Sequence, residues 1–334
     1  MEGGSMSASG ATPTIDDVRR IATKVSNWGR WGPDDQLGTL NFLTSERVAA
    51  AAASVKRGDV ISLAVPFDEK GPQRGGWGRF NPIHVMLRDG NDAITGTTVR
   101  DFYGGFDGYV RGTDDLLILP LQAGTQWDAL AHMVFEGKIY NGYDATDVSS
   151  LGALKNDIAK AKEKLVGRGV LLDVARWKGK RWLDGGEAIS GDDLEDCAAA
   201  QGVEVRSGDI VLVRTGRMGR VKAEGDWGDY AIGYSSQAPG LGLASAEWIH
   251  DKEIAAVAVD TWGAEVLPTE TRDVSMPMHI ILIVHMGLTL GEIFDLEALA
   301  DDCAGDGVYE FLFSAPPLPI TRAVGSPINP IVVK

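Results

Sequence analysis

The chain has 334 residues, enough to bury a substantial core, and carries a formal net charge of −15. Such an acidic average surface argues against nucleic acid or an anionic membrane as a partner, while leaving a locally Arg-lined pocket able to take an anionic small molecule. The two cysteines, Cys197 and Cys303, have no metal-binding or redox spacing and suit a reducing cytoplasm.

Residues 1–12 are rich in Gly, Ser and Ala, with neither the basic start nor the apolar core of a signal peptide. Met1-Glu2-Gly3-Gly4-Ser5 reads as an expression scar before a second start at Met6, so residues 1–13 are expected to be disordered and 14–334 to form a single domain. The first helix starts at Thr14, a cap followed by Asp16 and Asp17. Residues 27–41, rich in Gly, Trp and Asp, predict a shaped loop; packing of Trp28 and Trp31 under a turn accounts for it. Residues 44–55 predict a helix capped by Thr44, and 59–65 a strand. Residues 67–80 carry five residues of Gly or Pro and predict a long loop of the kind that lids a pocket. His84 lies in a strand over 81–87, where it either lines a substrate site or sits as an ordinary half-buried histidine.

An apolar, strand-like run at 116–120 leads into Gln122-Ala123-Gly124-Thr125-Gln126-Trp127-Asp128-Ala129-Leu130-Ala131-His132. Two carboxamides, a carboxylate, an indole and an imidazole crowd these eleven positions. In an extended segment Gln122, Gln126 and Asp128 share a face, and a helical turn after Trp127 would bring His132 beside Asp128. Gly124 lets the backbone turn or approach a ligand. Residue chemistry alone leaves two readings open: a convergent polar site, or a strand end whose amides cap backbone beside a core histidine.

Beyond the motif, 137–144 is turn-rich, and 156–167 reads as a short charged helix ending at a glycine. Residues 169–174 form a buried strand, 190–201 a helix capped by Ser190, and 209–216 another strand; this alternation predicts an α/β layered domain. Arg214 and Thr215 end that last strand, where a ligand carboxylate could be held, although a surface turn with solvated arginines explains them equally simply. No phosphate-loop glycine pattern occurs, so no nucleotide cofactor is expected. A helix over 245–251 and a buried strand over 254–260 follow. Residues 278–285 hold His279 and His285 in an apolar run far too short to cross a bilayer, with Glu292 beyond it. An acidic helix over 295–303 and a terminal strand over 309–313 close the chain.

The central stretch resembles the signature of the cyclase family, metal-dependent hydrolases that include bacterial kynurenine formamidase and isatin hydrolase: His-x-Gly-Thr-His-x-Asp-x-x-x-His. The chain has Gln122-x-Gly124-Thr125-Gln126-x-Asp128-x-x-x-His132, with Gln at two positions where His is usual. The resemblance runs from Asn27 to Pro330. It implies a β/β/α swivelling-type fold with a central mixed β-sheet or barrel flanked by helices, a homodimer, and a small-molecule substrate. It further implies a divalent metal, manganese or zinc, at Gln122, Gln126, Asp128, His279 and Glu292. Trp127, inside the motif, is expected to contact the substrate.

A hydrolase of this kind opens a cyclic amide, imide or lactone, or cleaves an aryl formamide. It needs activated water, a polarised carbonyl and a proton donor; His132, beside Asp128, suits the proton work with an unperturbed pKa of about 6.5. Gln in place of His weakens zinc binding and favours harder ions such as Mn²⁺ or Mg²⁺. The alternatives are a metal-free lyase or isomerase that uses the Gln amides as donors, and a binding protein that has lost catalysis.

Overall fold

The computed structural model describes residues 12–95, 112–230 and 237–334; the expected scar and the second start at Met6 lie outside the described residues. A nine-stranded mixed sheet organises the chain and curls into a half-barrel. Its spatial order is Val60–Ser62, Ile331–Val333, Glu310–Ser314, Val166–Leu172, Ile210–Val213, Ala256–Val259, Thr289–Glu292, Gln126–Asp128 and Gly325–Pro327. The four strands from Val166–Leu172 to Thr289–Glu292 run parallel, and antiparallel strands extend the sheet on both sides.

The unbroken apolar runs Ile210–Val213 and Ala256–Val259 are buried on both faces, as inner parallel strands must be. Alternation divides them between two cores. Val211, Val213, Val257 and Val259 pack with Val18, Leu194 and Ile249, from the helices Ile15–Lys24, Gly191–Gln201 and Ala246–Asp251. Ile210, Leu212, Ala256 and Ala258 pack instead with Leu40, Phe294, Leu299 and Phe313.

Local signals set several boundaries. Ser190 and Asp193 form a reciprocal cap, Asp193 N–H to Ser190 Oγ at 3.0 Å and Ser190 N–H to the Asp193 carboxylate at 2.8 Å. Such a cap contributes about 1 kcal/mol. Cys197 and Cys303 are both buried free thiols. No helix among the described residues is long and apolar enough to cross a membrane.

Two sequence expectations require correction. Residues 156–167 form no α-helix: a 3-10 turn, Ile158–Ala161, precedes the strand Val166–Leu172, because Leu165 takes a positive φ of 63° and the glycines serve the sheet. A Cβ on Gly169 would lie 2.3 Å from the Phe311 ring on the paired strand. The strand Glu310–Ser314 is not terminal, since Ile331–Val333 pairs with it and Gly325–Pro327 pairs with Gln126–Asp128. The segments 81–87 and 116–120 stand outside the main sheet as an antiparallel hairpin, Ile83–Arg88 with Asp114–Ile118, whose Ile83, Val85, Leu87, Leu117 and Ile118 are exposed.

The apolar run after Met276 is helical. It begins as Pro277–His279, continues as the π-helical segment Ile280–Met286, and ends at Gly287, whose φ of 71° closes the helix. Gly287 has a second role, because a Cβ there would lie 2.2 Å from the Tyr140 ring. Single π-helical segments interrupt regular helices at functional positions more often than elsewhere.

Candidate active site

Strand pairing brings the first polar groups together. Gln126 lies opposite Glu292 and Asp128 opposite Leu290 on neighbouring antiparallel strands, so Gln126, Asp128 and Glu292 share one face of the sheet. All three are buried. Gln126 Nε2 donates to Glu292 Oε2 at 2.9 Å. After Asp128 the chain does not turn helical: His132 N–H donates to Ala129 O at 2.9 Å in a tight turn, and this turn leaves His132 Nε2 3.8 Å from Asp128 Oδ1.

The helix Pro277–His279 delivers His279 onto the same face. Its Nδ1 lies 2.5 Å from Glu265 Oε1 and its Nε2 3.1 Å from Glu292 Oε1, and Glu292 Oε1 also accepts from Ala264 N–H at 3.0 Å. Burial alone would lower the His279 pKa, but the hydrogen bonds to Glu265 and Glu292 outweigh it and hold the imidazolium up to about 10. Asp128 moves the other way from the usual carboxylate range: burial, then the charge of Glu292, pushes its carboxyl well up. His132 is pushed down to about 3 by burial, then by the cationic His279 and Arg79. His132 is therefore a neutral imidazole across the working pH range, and does not titrate near 6.5.

A cleft of about 10 Å³, room for about one water, opens over this cluster between Trp77, Arg79, His132, Met133, Trp262 and Met276. It adjoins a cavity of about 470 Å³, of small-molecule size, that shares Trp77, Trp262 and Met276 and extends along Leu267 to Val274. The loop 67–80 does line the mouth. Gln73 ties it down, donating to Ala123 O at 2.9 Å and accepting from Trp262 Nε1 at 3.2 Å.

The remaining sequence candidates lie elsewhere. Trp127 alternates onto the opposite face, fully buried against Phe294 and Phe313 with its Nε1 donating to Ala315 O at 2.8 Å, so it is core and not pocket wall. His84 sits on the exposed hairpin with Nε2 2.7 Å from Asp115. Arg214 is buried with its donors spent on Glu297 and Asp173, and Thr215 donates through both N–H and Oγ1 to Asp260. Gln122 occupies a turn and not an extended run; its buried amide nitrogen has no hydrogen-bond partner and lies against Gly325, where a Cβ would come within 2.4 Å. Gly124 makes room for the Phe67 ring and not for a ligand, at 2.8 Å from a would-be Cβ. His285 stacks on Trp28 at 5.2 Å between ring centroids.

Sequence reasoning missed Glu265, Arg79 and Trp262. The only signal for Glu265 was a carboxylate among small residues shortly after a buried strand, which is too common a pattern to single out.

The donor set fits a divalent cation. One ligand atom each from Asp128, His279 and Glu292 lie within 4.8 Å of one another. Both Asp128 oxygens and Gln126 Oε1 are buried without a hydrogen-bond partner, which costs free energy unless a cation or ordered water completes the site. Two carboxylates, an imidazole and a carboxamide oxygen form a predominantly hard, oxygen-rich set.

The sequence pattern of the family "Cyclase" matches residues 61–266. A crystal structure described as a novel cyclase aligns at 37% identity with a TM-score of 0.81, covering 93% of this chain and 100% of that one. An isatin hydrolase bound to the product analogue thioisatinate aligns at 16% identity and TM-score 0.58, covering 87% and 99% of the two chains. Isatin hydrolase A from Ralstonia solanacearum gives 17% and 0.58, over 87% and 98%. These two likenesses concern the fold. No curated protein sequence matches the chain.

Proposed function

Because the chain belongs to the cyclase family, we propose that it is a metal-dependent hydrolase that opens a small cyclic amide, imide or lactone, or cleaves an aryl formamide. The observation that carries this reading is Asp128: a buried carboxyl with two unpartnered oxygens, between the Glu292 and His279 pair and the neutral imidazole of His132.

Asp128, His279, Glu292 and the Gln126 carboxamide oxygen would hold the ion, of manganese or zinc type, with manganese better suited to the carboxamide. When bound, such an ion polarises the substrate carbonyl and lowers the pKa of water. The chain's own groups do the rest. Glu265 fixes the His279 ring through Nδ1 and directs Nε2 into the site. His132 lines the cleft and is the group placed to pass the proton of the attacking water to the departing nitrogen or oxygen; its low basicity makes that transfer depend on the acidity that a bound ion would confer on the water. Met133, Trp262 and Met276 shield the cleft from bulk solvent.

The test is metal analysis of protein prepared without chelator, together with turnover on a panel of lactones, imides and aryl formamides. The expected result is bound divalent ion and hydrolysis that falls about 10²- to 10⁴-fold in His132→Ala while the ion is retained. A protein that takes up no divalent ion, or a His132→Ala variant with full turnover, overturns the reading. We propose also that the chain acts in the cytoplasm as a homodimer, for which the exposed apolar hairpin supplies a face.

A further inference from the structure

We propose that Arg79 recognises a carboxylate on the substrate, so that the molecules this site acts on are small aromatic acids and not neutral rings. The inference rests on the hydrolase reading for the position of the reacting group, and adds the charge and shape of what is bound.

The first observation is an unmatched cation in an acid-rich molecule. The chain has 47 Asp and Glu against 32 Lys and Arg. Many of its arginines are held by carboxylates, Arg214 by Glu297 and Asp173, Arg168 by Asp209 and Glu310, Arg57 by Asp302, whereas Arg47 donates to Phe42 O and Ser207 and Arg181 stands over Trp182. Arg79 is half-buried, and its guanidinium makes no ion pair or hydrogen bond to a carboxylate among the described residues, although its charge is felt by the buried Asp128. It stands instead 4.8 Å over the Trp262 ring. That contact orients the planar fork and removes part of its water without using its donors, which leaves them available for a bidentate anion.

The second observation is location. Arg79 lines the same cleft as His132, His279 and Glu292, so an anion it holds lies within one small molecule's length of the reacting centre. The adjoining cavity of about 470 Å³ is entered between Trp77, Trp262 and Met276 and continues past Leu267, Pro268 and Val274. This wall suits a flat apolar body. Trp77 is 64% exposed at that entrance and holds a left-handed φ of 58°, a conformation that costs a bulky residue free energy and recurs at ligand clamps.

The third observation is electrostatic. A protein of net charge −15 repels anions at long range, so capture of one requires a local cation at the site itself. Beside the ion that Asp128, His279 and Glu292 would hold, Arg79 is the side chain lining the cleft that has donors left for an anion, since His279 is engaged on both nitrogens by Glu265 and Glu292; Arg272 lines the adjoining cavity.

The experiment is calorimetric binding of benzoate and of its neutral isostere benzamide to the Mn²⁺-loaded protein, in wild type, Arg79→Gln and Arg79→Lys. Wild type is expected to favour benzoate by at least about tenfold, the scale of a charge-assisted hydrogen bond. Arg79→Gln is expected to abolish that preference with benzamide affinity unchanged, and Arg79→Lys to restore part of it. Equal affinity for the two ligands in wild type overturns the proposal. So does a preference that survives in Arg79→Gln, which would place the carboxylate on the metal or on another cation. Binding needs no turnover, so a protein that selects benzoate through Arg79 while its His132→Ala variant keeps full turnover overturns the hydrolase mechanism and leaves this proposal standing.

Discussion

Gln126 and Glu292 face one another across two antiparallel strands, and the carboxamide nitrogen of the first donates to Oε2 of the second at 2.9 Å while Gln126 Oε1 is left without a partner. An imidazole at 126 could not make this contact and still offer an oxygen to the site. The glutamine changes the hardness of the donor set but keeps Glu292 oriented.

Metal uptake will be strongly pH-dependent. In the metal-free protein near pH 7, His279 holds its proton, with a pKa raised to about 10, and Asp128 is raised well above the carboxylate range. An ion must displace the His279 proton, so affinity rises with pH and about one proton leaves per ion bound. Titration calorimetry in buffers of differing ionisation enthalpy measures the number directly. A proton count of zero between pH 6 and 8 contradicts the assignment of His279 as a ligand.

Trp127→Phe will lower stability by about 2–3 kcal/mol, through the lost hydrogen bond to Ala315 O and the cavity left between Phe294 and Phe313. Metal content and KM will stay at wild-type values, because the indole lies on the far face of the strand from Asp128. Urea denaturation alongside steady-state kinetics checks both halves.

Asp260 ties stability to acidity. Burial raises its pKa from 3.8 to about 6 despite the hydrogen bonds it accepts from Thr215 and Gly216. Between those values the folded chain binds more protons than the unfolded one, so this contribution is fully present below about pH 4 and is lost as the pH rises through about 6. Relative to Asp260→Asn, wild type should lose about 2–3 kcal/mol between pH 4 and pH 7. A difference that is constant or grows over that range, in denaturation curves at the two pH values, refutes the assignment.

The hairpin Ile83–Arg88 with Asp114–Ile118 presents Val85 and Leu117 to solvent. If it meets a second copy, Val85→Asp combined with Leu117→Asp will convert a species of twice 35.7 kDa into one of 35.7 kDa. Light scattering on the eluting protein distinguishes the two masses. A wild type that already elutes as the monomer removes the dimer from consideration.

Features that depend on neighbours in sequence were legible; those that depend on distant pairing were not. The Ser190 cap needs only Asp193, three residues on, and the strands Ile210–Val213 and Ala256–Val259 announce their burial by being apolar throughout. Asp128 and His132 do lie together, although a tight turn closed by His132 N–H to Ala129 O, and not the helical turn the spacing suggested, brings them there. Trp127 was misplaced because the face it occupies is set by pairing with Thr289–Glu292, far along the chain. Arg214 read as a ligand-holding residue because its partners, Asp173 and Glu297, lie 41 and 83 residues away. Arg79 was hidden in a loop whose glycines announced only its shape.

The bond from Gln126 to Glu292 closes a span of 166 residues. On a ribosome making this chain from its first residue, the motif at 122–132 would be exposed long before residue 292 appears, and its polar groups would have only water for company. A nascent chain halted short of residue 292 would carry the recognisable signature yet no assembled pocket, so an activity assay on truncated products would report completion of the sheet as well as possession of the motif.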